Sequence, residues 1–359
     1  MSGENPMPSD QPSPQIIIQQ KESMFGRYGK FLIAGLVLAI MVIIGMRTAY
    51  QSYFNEAGGP QERYLHGERF AQKKIAVIKV SGTISEADTF VKEQIDRVAK
   101  DDQVVAVVLR INSPGGTVTY SDYLHHKLRQ LATGEIRQGA GKDQPLPIVV
   151  SMGSLCASGG YYIASAVGDT PDSIFAEPAT ITGSIGVIIP HYDLSGLLAN
   201  WSIENDSIAT HPLKEILSMT KEMTEEQREI LQTLVDEMLD DFKDKIKAGR
   251  PVFQEHPQDL DEIATGQIFS TDQAIELKLV DKKGYLEDAM ARAAELGGTD
   301  LQNVRCVDYK RAPSAFDALT GNAKIESKAD PMSIQTLQNM ATPRAYFLYG
   351  GLPGLEAIE

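Results

Sequence analysis

Residues Pro147–Val167 read P-I-V-V-S-M-G-S-L-C-A-S-G-G-Y-Y-I-A-S-A-V. The apolar run Ile148-Val149-Val150 has the length of a buried strand. Small residues follow, then Ser158-Gly159-Gly160, then a helix-like run from Tyr161 to Val167. A serine at a strand-to-helix turn has its hydroxyl presented at a strand end. Gly159 leaves room for a substrate to approach the backbone. The first N–H groups of the helix lack intrahelical partners and can face an oxyanion. The same serine can also serve simply as the helix N-cap. On this stretch alone both roles stand.

On the N-terminal side, Lys74–Val80 (K-I-A-V-I-K-V) and Val104–Ile111 (V-V-A-V-V-L-R-I) read as strands. The second is nearly continuous in apolar residues, as in a sheet covered on both faces. Between them, Ser85–Lys100 is amphipathic, with Phe90, Val91, Ile95 and Val98 inward. Asn112-Ser113-Pro114-Gly115-Gly116 ends the second strand, and Thr119–Leu131 is the next helix. Thr133–Pro147, rich in Gly, Gln, Lys and Pro, is expected as a surface loop. On the C-terminal side, Ser173–Phe175 and Thr182–Ile189 add strand material. Thr224 opens the longest helix, with Gln227 at capping-box spacing. Its apolar residues from Ile230 to Ile246 recur at a 3.6 period and read as core or as a subunit interface. Thr265–Tyr285 is one more α/β segment. Strands alternating with helices predict an α/β domain with a largely parallel sheet flanked by helices.

The chain has 359 residues and a formal net charge of −14, which excludes a general nucleic-acid surface. Cys156 and Cys306 stand at no zinc or redox spacing, and the six histidines at no metal-ligand spacing. No metal or other cofactor is expected. Phe31–Met46 carries no charge. With Lys30 and Arg47 snorkelling, residues 28–50 are expected as a transmembrane helix across a bilayer of ~30 Å. A buried soluble helix and a cleaved signal peptide are the alternatives. Lys21, Arg27 and Lys30 precede the run and Arg47 alone closely follows it, so the N-terminus is expected in the cytoplasm. The expected organisation is a disordered tail over 1–27, the transmembrane helix over 28–50, a polar stalk over 51–72, the α/β domain over 73–309 and an extension over 310–359.

Two glycine pairs, in Ser113-Pro114-Gly115-Gly116 and Ser158-Gly159-Gly160, stand at strand ends, which in a parallel sheet share the carboxyl edge. Acyl transfer needs a nucleophile, a base and oxyanion donors. Ser158 supplies the first. The N–H groups of Gly159 and of Gly115 or Gly116 supply the third. The base stays open at this point.

Four motifs occur in order: S-P-G-G, A-S-G-G-Y-Y-I-A, T-G-S-I-G-V, and H-P-L-K-E-I ahead of a T-E-E-Q helix. Over Lys74–Tyr285 they resemble the signal peptide peptidase A (protease IV) family of the Clp/crotonase superfamily, in its short single-unit form. SohB-like proteases share the architecture. The resemblance implies a serine endopeptidase with Ser158 as nucleophile, Lys214 as general base, Ser184 orienting that lysine, and Gly159 and Gly116 in the oxyanion hole. It implies apolar peptide substrates, remnant signal peptides among them. It also implies a homo-oligomeric ring with the site near the subunit boundary, so that Ser158 and Lys214 pair within or between chains. The location implied is a bacterial inner membrane, with the lipid bilayer as partner and the catalytic domain extracytoplasmic.

A lysine base must be neutral, and burial against groups such as Leu213 and Ile216 would lower its free value of ~10.4. Rival readings are His191 as base with Asp193 or Asp206, Cys156 as nucleophile, a non-catalytic membrane scaffold, and a crotonase-type acyl-CoA enzyme. The tail Arg344–Leu352 (R-A-Y-F-L-Y-G-G-L) is apolar enough to add a strand or to occupy the groove.

Overall fold

The computed structural model describes residues 24–54, 59–311 and 345–348. The chain divides into two units, 1–57 and 58–359. The first holds helix α1 (Met24–Phe54). Its residues Phe31–Arg47 are exposed on all sides. At ~1.5 Å per residue, the uncharged run covers ~24 Å. Among the described residues, no helix is long and apolar enough to cross a membrane. The segment expected to span is therefore helical, and its uncharged part falls short of ~30 Å by itself. Most of the expected disordered tail lies outside the described residues.

The second unit contains strands β1 (Gln61–Gly67), β2 (Lys74–Ser81), β3 (Val104–Ser113), β4 (Gly115–Thr117), β5 (Ile148–Ala157), β6 (Ile174–Ala176), β7 (Ile181–Gly183), β8 (Ile268–Ser270), β9 (Lys282–Lys283), β10 (Arg305–Lys310) and β11 (Tyr346–Leu348). Its helices are α2 (Phe90–Ala99), α3 (Val118–Thr133), α4 (Gly159–Ala164), α5 (Ser195–Asn200), α6 (Glu225–Gly249), α7 (Val252–Glu255), α8 (Pro257–Ile263), α9 (Thr271–Glu276) and α10 (Leu286–Leu296). The main sheet runs β1-β10-β2-β3-β5-β6-β9, with β7 also on β5 and β8 on β7. Its interior pairings are parallel, and β1 and β8 are antiparallel additions.

Alternation along β2 sends Ile75 and Val77 to one face and Ala76, Ile78 and Val80 to the other. Both faces are buried, which explains the unbroken apolar runs. One face packs on α10 through Ala289, Met290 and Ala293. The other packs on α2, α3, α4 and the end of α6 through residues such as Ile95, Leu124, Tyr162 and Phe242. The α/β class with a mostly parallel sheet is borne out.

Four local differences from the sequence reading have physical causes. First, the segment read as a stalk contributes β1, which pairs with β10; Arg63 Nε donates to Asp308 Oδ1 at 2.8 Å. An edge strand with one wet face looks polar in composition. Second, the amphipathic stretch 85–100 becomes helical only at Phe90, where Asp88 Oδ1 accepts the Phe90 N–H at 2.9 Å. Third, the stretch expected as a surface loop is anchored inward by buried Leu146 and by Arg137, whose Nη2 donates to the Val104 carbonyl at 3.0 Å. Fourth, the capping box of Thr224 and Gln227 forms in both directions, but the apolar stripe behind it splits. Phe242 and Ile246 are fully buried, whereas Ile230 and Leu234 are 43% and 40% exposed.

Candidate active site

β5 does not stop at Val150. Its pairing continues onto β7, with Leu155 opposite Ile181 and Ala157 opposite Gly183. That extension delivers Ser158 to the carboxyl edge, where α4 begins at once. Ser158 turns there with φ 53° and ψ −116°, a conformation costly for any residue but glycine. Two hydrogen bonds hold it. Its N–H donates to the Gly183 carbonyl at 2.8 Å, and its carbonyl accepts the Tyr162 N–H at 2.9 Å. The side chain makes no capping bond, so the N-cap role falls. Ser158 is 1% exposed and its hydroxyl has no hydrogen-bond partner. An orphaned buried hydroxyl on a strained turn is characteristic of a site rather than of a support.

The second glycine element meets this turn. Gly115 has φ 104°, and its N–H donates to Ser113 Oγ at 3.1 Å. A Cβ on Gly159 would lie 2.6 Å from Ser121 Oγ and 3.1 Å from the Gly116 nitrogen. Ser158, Gly159 and Gly115–Gly116 are therefore brought together, with the Gly116 amide beside Gly159. Ser184 follows β7 directly, is buried, turns with φ 51°, and donates its N–H to the Gln267 carbonyl at 2.7 Å.

Lys214 makes no hydrogen bond to the Ser158 hydroxyl. It sits exposed on the short turn Pro212–Glu215, which His211 caps by accepting the Leu213 N–H at 3.2 Å. The rival base has other partners: His191 Nε2 lies 3.1 Å from the Ser218 carbonyl, and Asp193 accepts the Ser195 N–H at 2.8 Å. Cys156 is enclosed within β5, before the turn, and burial pushes its thiol well above the usual range. Cys156 and Cys306 are both free.

Sequence reasoning passes over the walls of the site. Tyr162 lies one turn of α4 beyond Ser158, and its hydroxyl donates to Asp122 Oδ1 at 2.7 Å. Burial would raise the Asp122 carboxyl, but Tyr162 and Lys245 outweigh it and hold it below the usual range. His125 packs edge-on against Tyr162 at 5.4 Å. Burial, aided by Lys245, pushes His125 down to about 3, so it is neutral. The i, i+4 spacing of Ser158 and Tyr162 was the available signal. A groove continues from Ser184 between residues 184–192 and α6, as two adjoining hollows of about 440 and 540 Å³ that share Val187, Ile188 and Val235.

Strand β11 forms a second, two-stranded sheet with β4 beside the Ser158 turn. It pairs antiparallel with β4, Phe347 opposite Gly116. On its other side Tyr346 exchanges both backbone bonds with Ile188, at 2.9 and 3.0 Å.

The description of peptidase family S49 matches residues 140–324, just over half of the chain and including Ser158, Ser184 and Lys214. The chain belongs to peptidase family S49. Among S49-related proteins, one from Synechocystis named as a protease is 34% identical over 264 residues, 73% of this chain and 89% of that one. One from Enterococcus faecium named as a signal peptide peptidase is 29% identical, covering 79% of this chain and 83% of its own length. Protease 4 of Salmonella typhi is 32% identical over 70% of this chain, but that match takes in 39% of its own length. The protease IV resemblance read from the four motifs is borne out at the level of the family.

Proposed function

We propose that this S49 chain is a membrane-anchored serine endopeptidase with a Ser158–Lys214 dyad, acting on remnant signal peptides and other apolar, unfolded peptides. The observation that carries the reading is the strained, buried and unpartnered Ser158 hydroxyl beside the Gly159 and Gly116 amides. In the proposed reaction Ser158 Oγ attacks the carbonyl carbon of an extended peptide, and its proton passes to neutral Lys214. The oxyanion faces the N–H groups of Gly159 and Gly116. Lys214 then protonates the leaving amine, and water, deprotonated by the same lysine, releases the acyl group from Ser158. Ser184 orients the lysine ammonium.

Because Lys214 is exposed and the Ser158 hydroxyl has no hydrogen-bond partner, the dyad is proposed to form between neighbouring copies of a ring. Docking there would desolvate the lysine and favour its neutral form. The anchor is α1: a helix apolar and exposed on every side has no stable place in water, and Lys30 and Arg47 can snorkel to extend its reach. The catalytic unit is proposed to lie outside the cytoplasm. A SohB-like protease with other substrates uses the same machinery. A scaffold without activity is the second reading, favoured by the absence of any hydrogen bond from Lys214 to the Ser158 hydroxyl.

The deciding experiment uses the full chain in detergent and an apolar signal-sequence peptide between pH 6 and 10. Wild type should cleave, whereas Ser158→Ala and Lys214→Ala should not. An equimolar mixture of the two variants should regain activity, since intact sites reform between chains. A dead mixture that still forms mixed oligomers would refute the shared dyad, and an assembled but inert wild type would establish the scaffold.

A further inference from the structure

β11 is held as extended peptides are held by sheet edges, with main-chain pairing on both flanks: β4 on one side and Ile188 on the other. Such pairing reads no side chains, so selectivity must come from the pockets that alternate residues enter. Phe347 enters one. It is 1% exposed, stacks on Tyr162 at 4.9 Å with 26° between the rings, and meets Phe242 at 4.6 Å and 47°. Tyr162 and Phe242 also touch each other at 4.9 Å, so the three rings form one closed cluster.

The placement along the strand is informative too. The Phe347 carbonyl oxygen and the Gly159 nitrogen lie 2.1 and 2.7 Å from a single point, the position a Cβ on Gly115 would take. The residue in the slot is thus the one whose carbonyl stands beside the amide that follows Ser158.

We infer that the Tyr162–Phe242 slot is the specificity pocket of this site, selecting an aromatic side chain on an extended peptide laid along Gly115–Thr117, and that Phe347 of the chain itself fills it. The inference rests on the peptidase reading only in placing substrate at this edge. Its walls are rigid for a reason already given: Tyr162 is fixed at its hydroxyl by Asp122 and at its edge by His125, while Phe242 is fully buried on α6. An alanine in the slot leaves a void between two aromatic neighbours, and a charged side chain is desolvated without a partner.

The test reads binding rather than cleavage. The full chain carrying Ser158→Ala with Phe347→Ala is titrated into two fluorescein-labelled peptides, Ala-Tyr-Phe-Leu-Tyr-Gly and Ala-Tyr-Ala-Leu-Tyr-Gly, and followed by anisotropy. The phenylalanine peptide should bind at least tenfold more tightly. Restoring Phe347 should weaken its binding at least tenfold, because the slot is refilled. Phe242→Leu, which keeps the core filled, should shrink the preference between the peptides. Equal binding of the two peptides, or no effect of Phe347, would overturn the inference. Selective binding by a chain whose wild type cleaves nothing would sink the peptidase reading alone. Cleavage by wild type without selective binding would sink the slot alone.

Discussion

Ser158 and Ser184 leave two neighbouring parallel strands with nearly equal positive φ, 53° and 51°, and the Ser158 N–H closes on the carbonyl of Gly183, the residue before Ser184, at 2.8 Å. Each serine occupies backbone that glycine would adopt without cost. Two such residues side by side at one sheet edge concentrate strain where the chemistry is placed.

Stability should therefore rise when Ser158 is removed. Ser158→Gly is expected to stabilise the catalytic unit by about 1 kcal/mol, because glycine takes φ 53° freely. Ser158→Ala keeps the backbone cost and should shift stability by less than about 0.5 kcal/mol. Urea midpoints of the three proteins decide the matter; a Ser158→Gly variant less stable than wild type contradicts it.

Gly159→Ala is expected to cost about 2 kcal/mol and to abolish peptide cleavage, since its Cβ would meet Ser121 Oγ at 2.6 Å. Ser121→Ala in the same chain removes the nearest obstacle and should recover at least half of the lost stability. Gly116→Ala should be worse than either and without such rescue, because its Cβ would lie 1.8 Å from the Ile84 backbone oxygen. Thermal unfolding of the three variants beside wild type checks the order.

His125 supplies a pH dependence. Its folded value, pushed down to about 3, lies below the unfolded value near 6.5. Between those limits the unfolded chain binds a proton that the folded chain does not, so stability falls as pH drops below about 6.5, by up to ~1.4 kcal/mol per unit. Above that pH the group contributes no slope. His125→Leu should flatten the decline between pH 6.5 and 5. The carboxylates held low in the fold act only at lower pH. Urea unfolding at pH 7.5, 6.0 and 5.0 measures it, and an unchanged slope in the variant would count against the assignment.

Asp308 is fully buried and pairs with Arg63 and Lys79. Burial alone would raise its carboxyl, but those two partners prevail and hold it below the usual range. Asp308→Asn leaves two cations facing a neutral amide and should cost about 2–3 kcal/mol. Because Arg63 lies on β1, the same variant should expose residues 61–67 to hydrogen exchange. Protection of that strand equal to wild type would show that the pair does not hold it.

The exposed half of α6 invites a separate measurement. Leu234→Glu should leave protomer stability within about 0.5 kcal/mol, since this side chain is 40% exposed, yet reduce the assembled mass in light scattering. An unchanged mass would remove this face from the proposed ring contact.

What the sequence makes legible follows from how local the cause is. Ser158-Gly159-Gly160 can be read because strand, turn and helix signals lie within one short stretch, and β3 because a doubly covered strand must be apolar throughout. β1 escapes notice because pairing with β10, distant in sequence, is what makes it a strand. The same holds for Tyr162 and Phe242, whose rings meet only once α4 and α6 pack. Lys214 is legible through its motif alone; no hydrogen bond joins it to the Ser158 hydroxyl. The stripe on α6 has a helical period along its whole length, and periodicity cannot say which half is covered.

The strand Tyr346–Leu348 is covalently part of the molecule whose cleft it occupies. A ligand tethered in this way is present at an effective concentration on the order of millimolar, whatever the amount of protein. It cannot be diluted away, so under the inferred role of the slot an incoming peptide competes against a constant opponent. Weak and transient binders are suppressed in proportion to the occupancy of that strand, and only peptides that are abundant or tightly bound displace it. On that reading the threshold is set by the pairing of Tyr346–Leu348 with Gly115–Thr117.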